Sequence, residues 1–84
     1  MNWRTRFQET RGRSWWTVYR EYLLSDEWSE KRNAVILRDG SCTICGTSHG
    51  LEVHHRTYER VGKELLIDLT TLCQPCHKTV TSML

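Results

Sequence analysis

No apolar run in this chain approaches the roughly 20 residues that a membrane span needs. The opening stretch, Met1 to Arg13, holds no apolar segment of the kind that makes a secretory signal. Repeats, low-complexity tracts and linkers are also absent. So is a dominant charge: twelve basic side chains stand against ten acidic ones, for a formal net charge of +2. Four thiolates holding one Zn²⁺ would bring the total to about zero. Affinity for a polyanion must therefore come from local basic patches, not from the global charge. Length is the last shortage. Eighty-four residues make at most one domain. Its own core is marginal at that size, and such chains often add a metal or disulfides.

What the chain does have is four cysteines in two tight pairs, Cys42/Cys45 and Cys73/Cys76. With no secretory cue, a reducing cytoplasm is the expected compartment, and there such pairs read as metal ligands. Two residues between thiolates let both sulfurs point at one ion, and two such knuckles complete a tetrahedron. A closed four-cysteine site keeps no open position, so its Zn²⁺ is expected to be structural. Two disulfides or a redox Cys-x-x-Cys are the competing readings. They lack an extracellular cue and a βαβ setting. Residues 46–72 separate the pairs, a longer insert than common zinc-finger spacings, which suggests that it carries a functional element.

Residues 1–14 hold Arg4, Arg6, Arg11 and Arg13 against a single acid, Glu9. Gly12 argues against one long helix. The composition predicts a basic, flexible or partly ordered N-terminal arm over 1–14, of a kind that can meet phosphates. Residues 15–84 read as one domain, with a helical lead-in over 15–40 and a zinc-stapled core over 41–84. In 15–24, Trp15, Val18, Tyr19, Tyr22 and Leu23 fall at helical spacing. Ser25 followed by Asp26 and Glu27 signals a new helix, because a hydroxyl caps free amides and acids favour the positive end of the dipole. That helix is predicted to run to Asp39, with Trp28, Val35 and Ile36 inward and Gly40 as its stop. The aromatics read as core. LEVHH, residues 51–55, alternates as a strand does. RTYERVGKELLI connects, with Gly62 as a turn, and DLTTLC, residues 68–73, reads as a second strand. Pro75 suits the first turn of a last helix. There Cys76, Val80, Met83 and Leu84 share one face, and His77 and Thr81 another.

The insert and its exit carry candidate chemistry. His54 and His55 are neighbours in a strand and so point to opposite sides, unless local twist brings them together. His77 follows the last cysteine, and adjacent helix residues diverge by roughly 100°. Cys76 can therefore face the zinc while His77 faces away, toward the strand of His54. The pattern proposes two metal sites back to back, one closed and sulfur-rich, the other open with imidazole and carboxylate ligands.

The run L-E-V-H-H-R-T-Y, then G-x-E, then D-L-x-x-L-C-x-x-C-H resembles the HNH endonucleases, and among them the small phage and bacterial members whose ββα-metal (His-Me finger) motif is bracketed by two Cys-x-x-Cys knuckles. The resemblance covers about residues 41–81 and extends weakly back through YLLSDEWSEKR. It implies a small α+β fold in which N-terminal helices precede a ββα-metal motif with a structural Cys₄ zinc site. By the same resemblance His54 and His77 are ligands of a catalytic divalent metal, Mg²⁺, Mn²⁺, Ni²⁺ or Zn²⁺. His55 stands at the place of the general base. Asp68 holds the central position, which either orients the base or binds the metal. Some members have a further histidine one turn after His77; here that position is Thr81. His54, Asp68 and His77 are then the expected ligand set. Arg56, Tyr58 and Arg60 flank it as candidate DNA contacts, while His49 matches no motif position and Glu64 has no assigned role.

The implied function is metal-dependent hydrolysis of DNA phosphodiester bonds, of low specificity or directed by a partner, in a bacterial or phage-infected cell. An imidazole titrates near working pH and can take a proton from water. A non-catalytic nucleic-acid-binding zinc module is the alternative, or an accessory subunit of a larger machine such as a phage packaging complex. No membrane partner is expected. A monomer and a homodimer fit the sequence equally.

Overall fold

A computed structural model describes residues 2–83. Helix α1 spans Trp3–Gln8, α2 Trp15–Leu23 and α3 Asp26–Asp39. Strand β1 spans Leu51–His55, a single 3₁₀ turn spans Leu66–Asp68, and β2 (Leu69–Cys73) runs straight into α4, Gln74–Ser82. The fold is a small α+β one: N-terminal helices, then strand, strand and helix in the order of a ββα-metal motif. Leu84, expected on the cysteine-bearing face of the last helix, lies outside the described residues.

Short polar side chains start the first three helices. Asn2 Oδ1 accepts the Thr5 amide at 2.9 Å, Ser14 Oγ that of Thr17 at 3.1 Å and Ser25 Oγ that of Trp28 at 3.2 Å. Each satisfies a donor that the first turn leaves free. At the far end of α3, Gly40 adopts φ 73° and its amide donates to the Ile36 carbonyl at 2.7 Å. That left-handed residue closes the helix as expected. Pro75 sits in the first turn of α4, where a missing amide costs no helical bond.

The two strands pair antiparallel, from Leu51 opposite Cys73 to His55 opposite Leu69. Val53 and Leu69 turn toward the helices and join Phe7, Val18, Tyr22, Trp28, Val35 and Val61 in the main core. Around the end of the sheet a second cluster forms from Cys42, Leu72 and Cys73, with Leu51, Cys76 and Val80 against it. Helix α3 is also fastened to β2 by polar bonds. Asp39 Oδ2 accepts the Thr71 amide at 3.0 Å, and Arg38 donates to the carbonyls of Leu66 and Leu69, both at 2.8 Å. The strand predicted from Asp68 begins one residue later. Asp68 itself ends the 3₁₀ turn, where its carboxylate accepts the Leu65 amide at 3.0 Å.

The segment read as an arm departs from expectation, because α1 is part of the core. Phe7 is only 6 % exposed. Its ring lies 5.1 Å from Trp15 and 6.0 Å from Tyr22. Arg4 reaches across to the carbonyls of Glu59 and Val61, at 3.1 and 3.3 Å. Arg6 and Arg13 both pair with Glu21 rather than projecting freely. Gly62 permits the contact: its φ is +90°, and a Cβ there would stand 3.0 Å from that of Trp3. The arginines dominate the composition of this stretch, but Trp3 and Phe7, one turn apart, decide its place by burial. Phe7→Ala is expected to cost about 3–5 kcal/mol in denaturant unfolding. A loss under about 0.5 kcal/mol, typical of a surface site, would mean that α1 is a detached arm after all.

Candidate functional site

The four cysteines converge. Their sulfurs all lie within 4.8 Å of one another. None is in a disulfide, and Cys45 Sγ stands 3.6 Å from Cys73 Sγ. That is far beyond a sulfur–sulfur bond. It is close to the ~3.8 Å edge of a tetrahedron with metal–sulfur bonds of about 2.3 Å. The amide of Cys45, first among its neighbours, holds the Cys42 thiol down to about 6, whereas the bond to Cys73 pushes Cys76 up to about 12. A dication supplies the charge that lets all four sulfurs stay deprotonated side by side. The donor set fits Zn²⁺ and leaves it no open position.

On the outer face of the sheet, His54 from β1 meets His77 from α4. Their ring centroids are 5.2 Å apart with planes at 74°. Two imidazoles bound to one ion at about 2.1 Å and near-tetrahedral angles have ring centres ~5 Å apart. Burial, then the nearness of His77, His55 and Arg56, pulls the His54 pKa below the ordinary 6.5, which favours the neutral ring, the form that can donate a lone pair. Glu52, two residues before His54 on the same strand face, accepts from His77 Nδ1 at 2.9 Å. A carboxylate on one ring nitrogen aims the other outward, the usual support of a metal-bound histidine. Hollows open on both sides of the pair. One, of about 480 Å³, is lined by His54, Arg56, Thr43 and Thr70; the other, of about 450 Å³, by His77, Glu52, Lys78 and Thr81.

His55 faces the other way, into the helical side. Its side chain is 2 % exposed, and Nε2 lies 2.6 Å from Glu64 Oε2. The Tyr19 hydroxyl stands 3.2 Å from Nδ1. Trp28 stacks on the ring at 4.7 Å between centroids, and Tyr58 lies at 5.7 Å on the ring as well. Glu64 also takes the Tyr22 hydroxyl at 2.6 Å and Lys31 Nζ at 2.9 Å. Burial pushes the Glu64 carboxyl up, but the bonds from His55, Tyr22 and Lys31 outweigh it and hold the group at about 2. Burial, then the bond to Glu64, pushes the Tyr22 phenol well above its ordinary range.

Residues 42–82 match the model of the HNH endonuclease family. That segment belongs to the HNH family. No curated protein and no solved structure matches the chain. Membership marks the HNH segment for cutting or binding nucleic acid, and the family acts on DNA.

Within the HNH segment, the expected ligand set does not assemble as a trio. Among the described residues, the cysteines are the one group of three or more metal-type donors close enough to share an ion. His54 and His77 are brought together, but Asp68 is not with them. Its carboxylate is clasped by Arg60, whose Nε lies at 2.8 Å, and by the Leu65 amide. Arg60, read as a DNA contact, is thus engaged in the loop, while Arg56 is exposed beside His54. Tyr58 is 43 % exposed and abuts Trp15, Trp16 and Tyr19. Thr81 lines the hollow next to His77. Sequence reasoning missed Glu52, Tyr19, Tyr22, Lys31 and the role of Glu64. Only Glu52 carried a local signal, being two residues before His54 on one strand face; the others are joined by folding alone.

Two outcomes follow. Cys42→Ser is expected to lose zinc and cooperative unfolding, and a variant with unchanged Tm and zinc content would refute a structural ion. The second concerns acid. Asp39 beside Arg38, Asp68 beside Arg60, and Glu64 are each held at about 2, below ordinary values of 3.8, 3.8 and 4.5. Depressed carboxylates stabilise the fold fully above their unfolded values, and that stability disappears as pH falls through the folded ones. Tm should therefore drop between about pH 4.5 and 2, and less steeply in Asp68→Asn. Identical slopes for the variant and the parent chain would refute the Arg60–Asp68 contribution.

Proposed function

We propose that the HNH segment is a metal-dependent DNA endonuclease that hydrolyses phosphodiester bonds with a histidine base. The observation that carries this reading is the pair of imidazoles between β1 and α4, the buried His54 and the half-buried His77, 5.2 Å apart beside two hollows. They would hold a divalent ion, Mg²⁺, Mn²⁺, Ni²⁺ or Zn²⁺, with imidazole suiting Ni²⁺ and Zn²⁺ and the water and phosphate oxygens suiting Mg²⁺ and Mn²⁺. Such an ion neutralises phosphate charge and stabilises the departing oxygen. Glu52 keeps His77 in its ligating orientation. Arg56, on the rim beside His54, contacts the DNA backbone. His55, on the other face of β1 from the metal pair but at the strand's last residue, would meet the phosphate around that end of the strand. There it accepts a proton from water, the water oxygen bonds to phosphorus, the bond from phosphorus to the 3′ oxygen breaks, and solvent protonates that oxygen. Asp68 acts at one remove: with Arg60 it braces the loop that brings Glu64 to His55. A surface this small reads little sequence, so cleavage is of low specificity or directed by a partner protein.

One observation favours a second reading, a non-catalytic nucleic-acid-binding module. The His55 side chain is 2 % exposed and both its ring nitrogens have partners, so water reaches it only if Tyr19 or Tyr58 gives way. A supercoiled-plasmid assay across the four metals separates the two. The nuclease reading expects nicking by the native chain and a loss of roughly 10²–10⁴-fold per folded, zinc-loaded molecule in His55→Ala, whose Tm also falls because Glu64 loses a donor. His77→Ala should need far higher metal concentrations. Undiminished nicking by His55→Ala would remove it as the base. DNA binding without nicking in any of the metals would establish the second reading.

A further inference from the structure

Glu64 lies in the loop between the strands, two residues after Gly62, and its side chain is fully buried at 0 % exposure. A carboxylate withdrawn from water persists only when donors saturate its oxygens. Here the donors come from three elements. Tyr22 of α2 and Lys31 of α3 occupy Oε1, and His55 of β1 occupies Oε2. Filling the core would not call for this: an apolar side chain of the same size needs no donors. What the acid does specifically is dictate the state of the ring beside it. An ionised carboxylate only accepts hydrogen bonds, so the nitrogen at 2.6 Å must carry the proton. In a neutral imidazole the other nitrogen is then bare. That nitrogen, Nδ1, faces the Tyr19 hydroxyl at 3.2 Å, within the reach over which a base meets the proton it abstracts. Trp28, stacked at 17° to the ring plane, keeps the imidazole from turning over.

We propose that Glu64 is the positioning residue of His55: it holds the imidazole with its proton on Nε2, and so makes Nδ1 the nitrogen that takes the proton of the attacking water. The inference rests on the reading of His55 as the base. The Tyr19 hydroxyl marks where the water oxygen sits once Tyr19 swings aside, and its neighbour Tyr58, 5.7 Å away between ring centroids, is 43 % exposed. The proton passes from water to Nδ1, and the carboxylate on Nε2 stabilises the positive ring that results. Tyr22 and Lys31 hold Glu64, not His55, and act one step further back.

The test uses the zinc-loaded chain and has two readouts. The first needs no activity: nitrogen NMR of His55 is expected to report the Nε2-protonated tautomer in the native chain. An Nδ1-protonated ring there overturns the proposal. The second is plasmid nicking. Glu64→Gln, close in shape, is expected to lower kcat by about 10²- to 10⁴-fold with KM for DNA within about twofold, because the base is misdirected while DNA contacts remain. Glu64→Asp retains the charge at a shorter reach and should recover part of that loss. A folded Glu64→Gln with native kcat overturns the proposal, as does a fall in Tm with kcat unchanged per folded molecule. If Glu64→Gln does not fold, Glu64→Asp and the native tautomer carry the decision. Should the native chain cut no DNA yet show the stated tautomer, the nuclease reading fails while the orientation of His55 by Glu64 stands.

Discussion

A two-stranded antiparallel sheet is barely stable in water unless something covers it. Strands β1 and β2 are five residues each, and the rest of the chain is arranged around that weakness. Helices α1 to α3 close one face with a core that runs from Phe7 to Leu69. The cysteine cluster and α4 close the end of the sheet and its other side. Since alternate residues of a strand face opposite ways, this sandwich separates His54 from His55. The first is turned toward α4 and the hollows, the second into the helical core. A site with one imidazole pair outside and one clamped imidazole inside follows from where the sheet needs cover.

Polar groups in the interior are held to the same standard as the apolar ones. No buried side-chain nitrogen or oxygen lacks a partner among the described residues. Glu64 gathers three donors, Asp39 ties the end of α3 to β2, and Asp68 closes the loop before β2 on itself through Arg60 and Leu65. These carboxylates do what extra apolar area would do in a larger domain: they fix the angle at which α3 meets β2 and the course of the loop after β1. The cysteines add the remaining restraint. Their convergence, 3.6 Å between Cys45 and Cys73 sulfurs, draws the turn before β1 against the start of α4.

Much of this was legible in local patterns. Ser25 and Gly40 delimit α3, the alternation of LEVHH marks β1, and Pro75 marks the start of α4, all because caps, turns and alternation are properties of a few neighbouring residues. The metal-type residues of the site were legible too, and His54 and His77 do meet. Three features were not. Residues 1–14 read as a flexible or partly ordered basic arm, because arginine content says nothing of what Trp3 and Phe7 touch. Asp68 holds the motif position that orients the base or binds the metal, and nothing local showed that Arg60, eight residues earlier, takes its carboxylate. Glu64 showed no role because its partners Tyr22 and Lys31 are more than thirty residues away along the chain.

By itself, then, the sequence determined the kinds of donor and their order: two cysteine knuckles, two histidines on one strand, a third at the head of a helix. Spacing along a strand or a helix turn is short-range geometry, and it survives whatever the rest of the chain does. Only the tertiary structure decided which donors share a space. It put Glu52 behind His77, withdrew Asp68 into the loop and sank His55 against Glu64. Those outcomes depend on which face of the sheet each helix covers and on how buried charges find donors, and both are settled by packing across the whole chain rather than by any local run of residues.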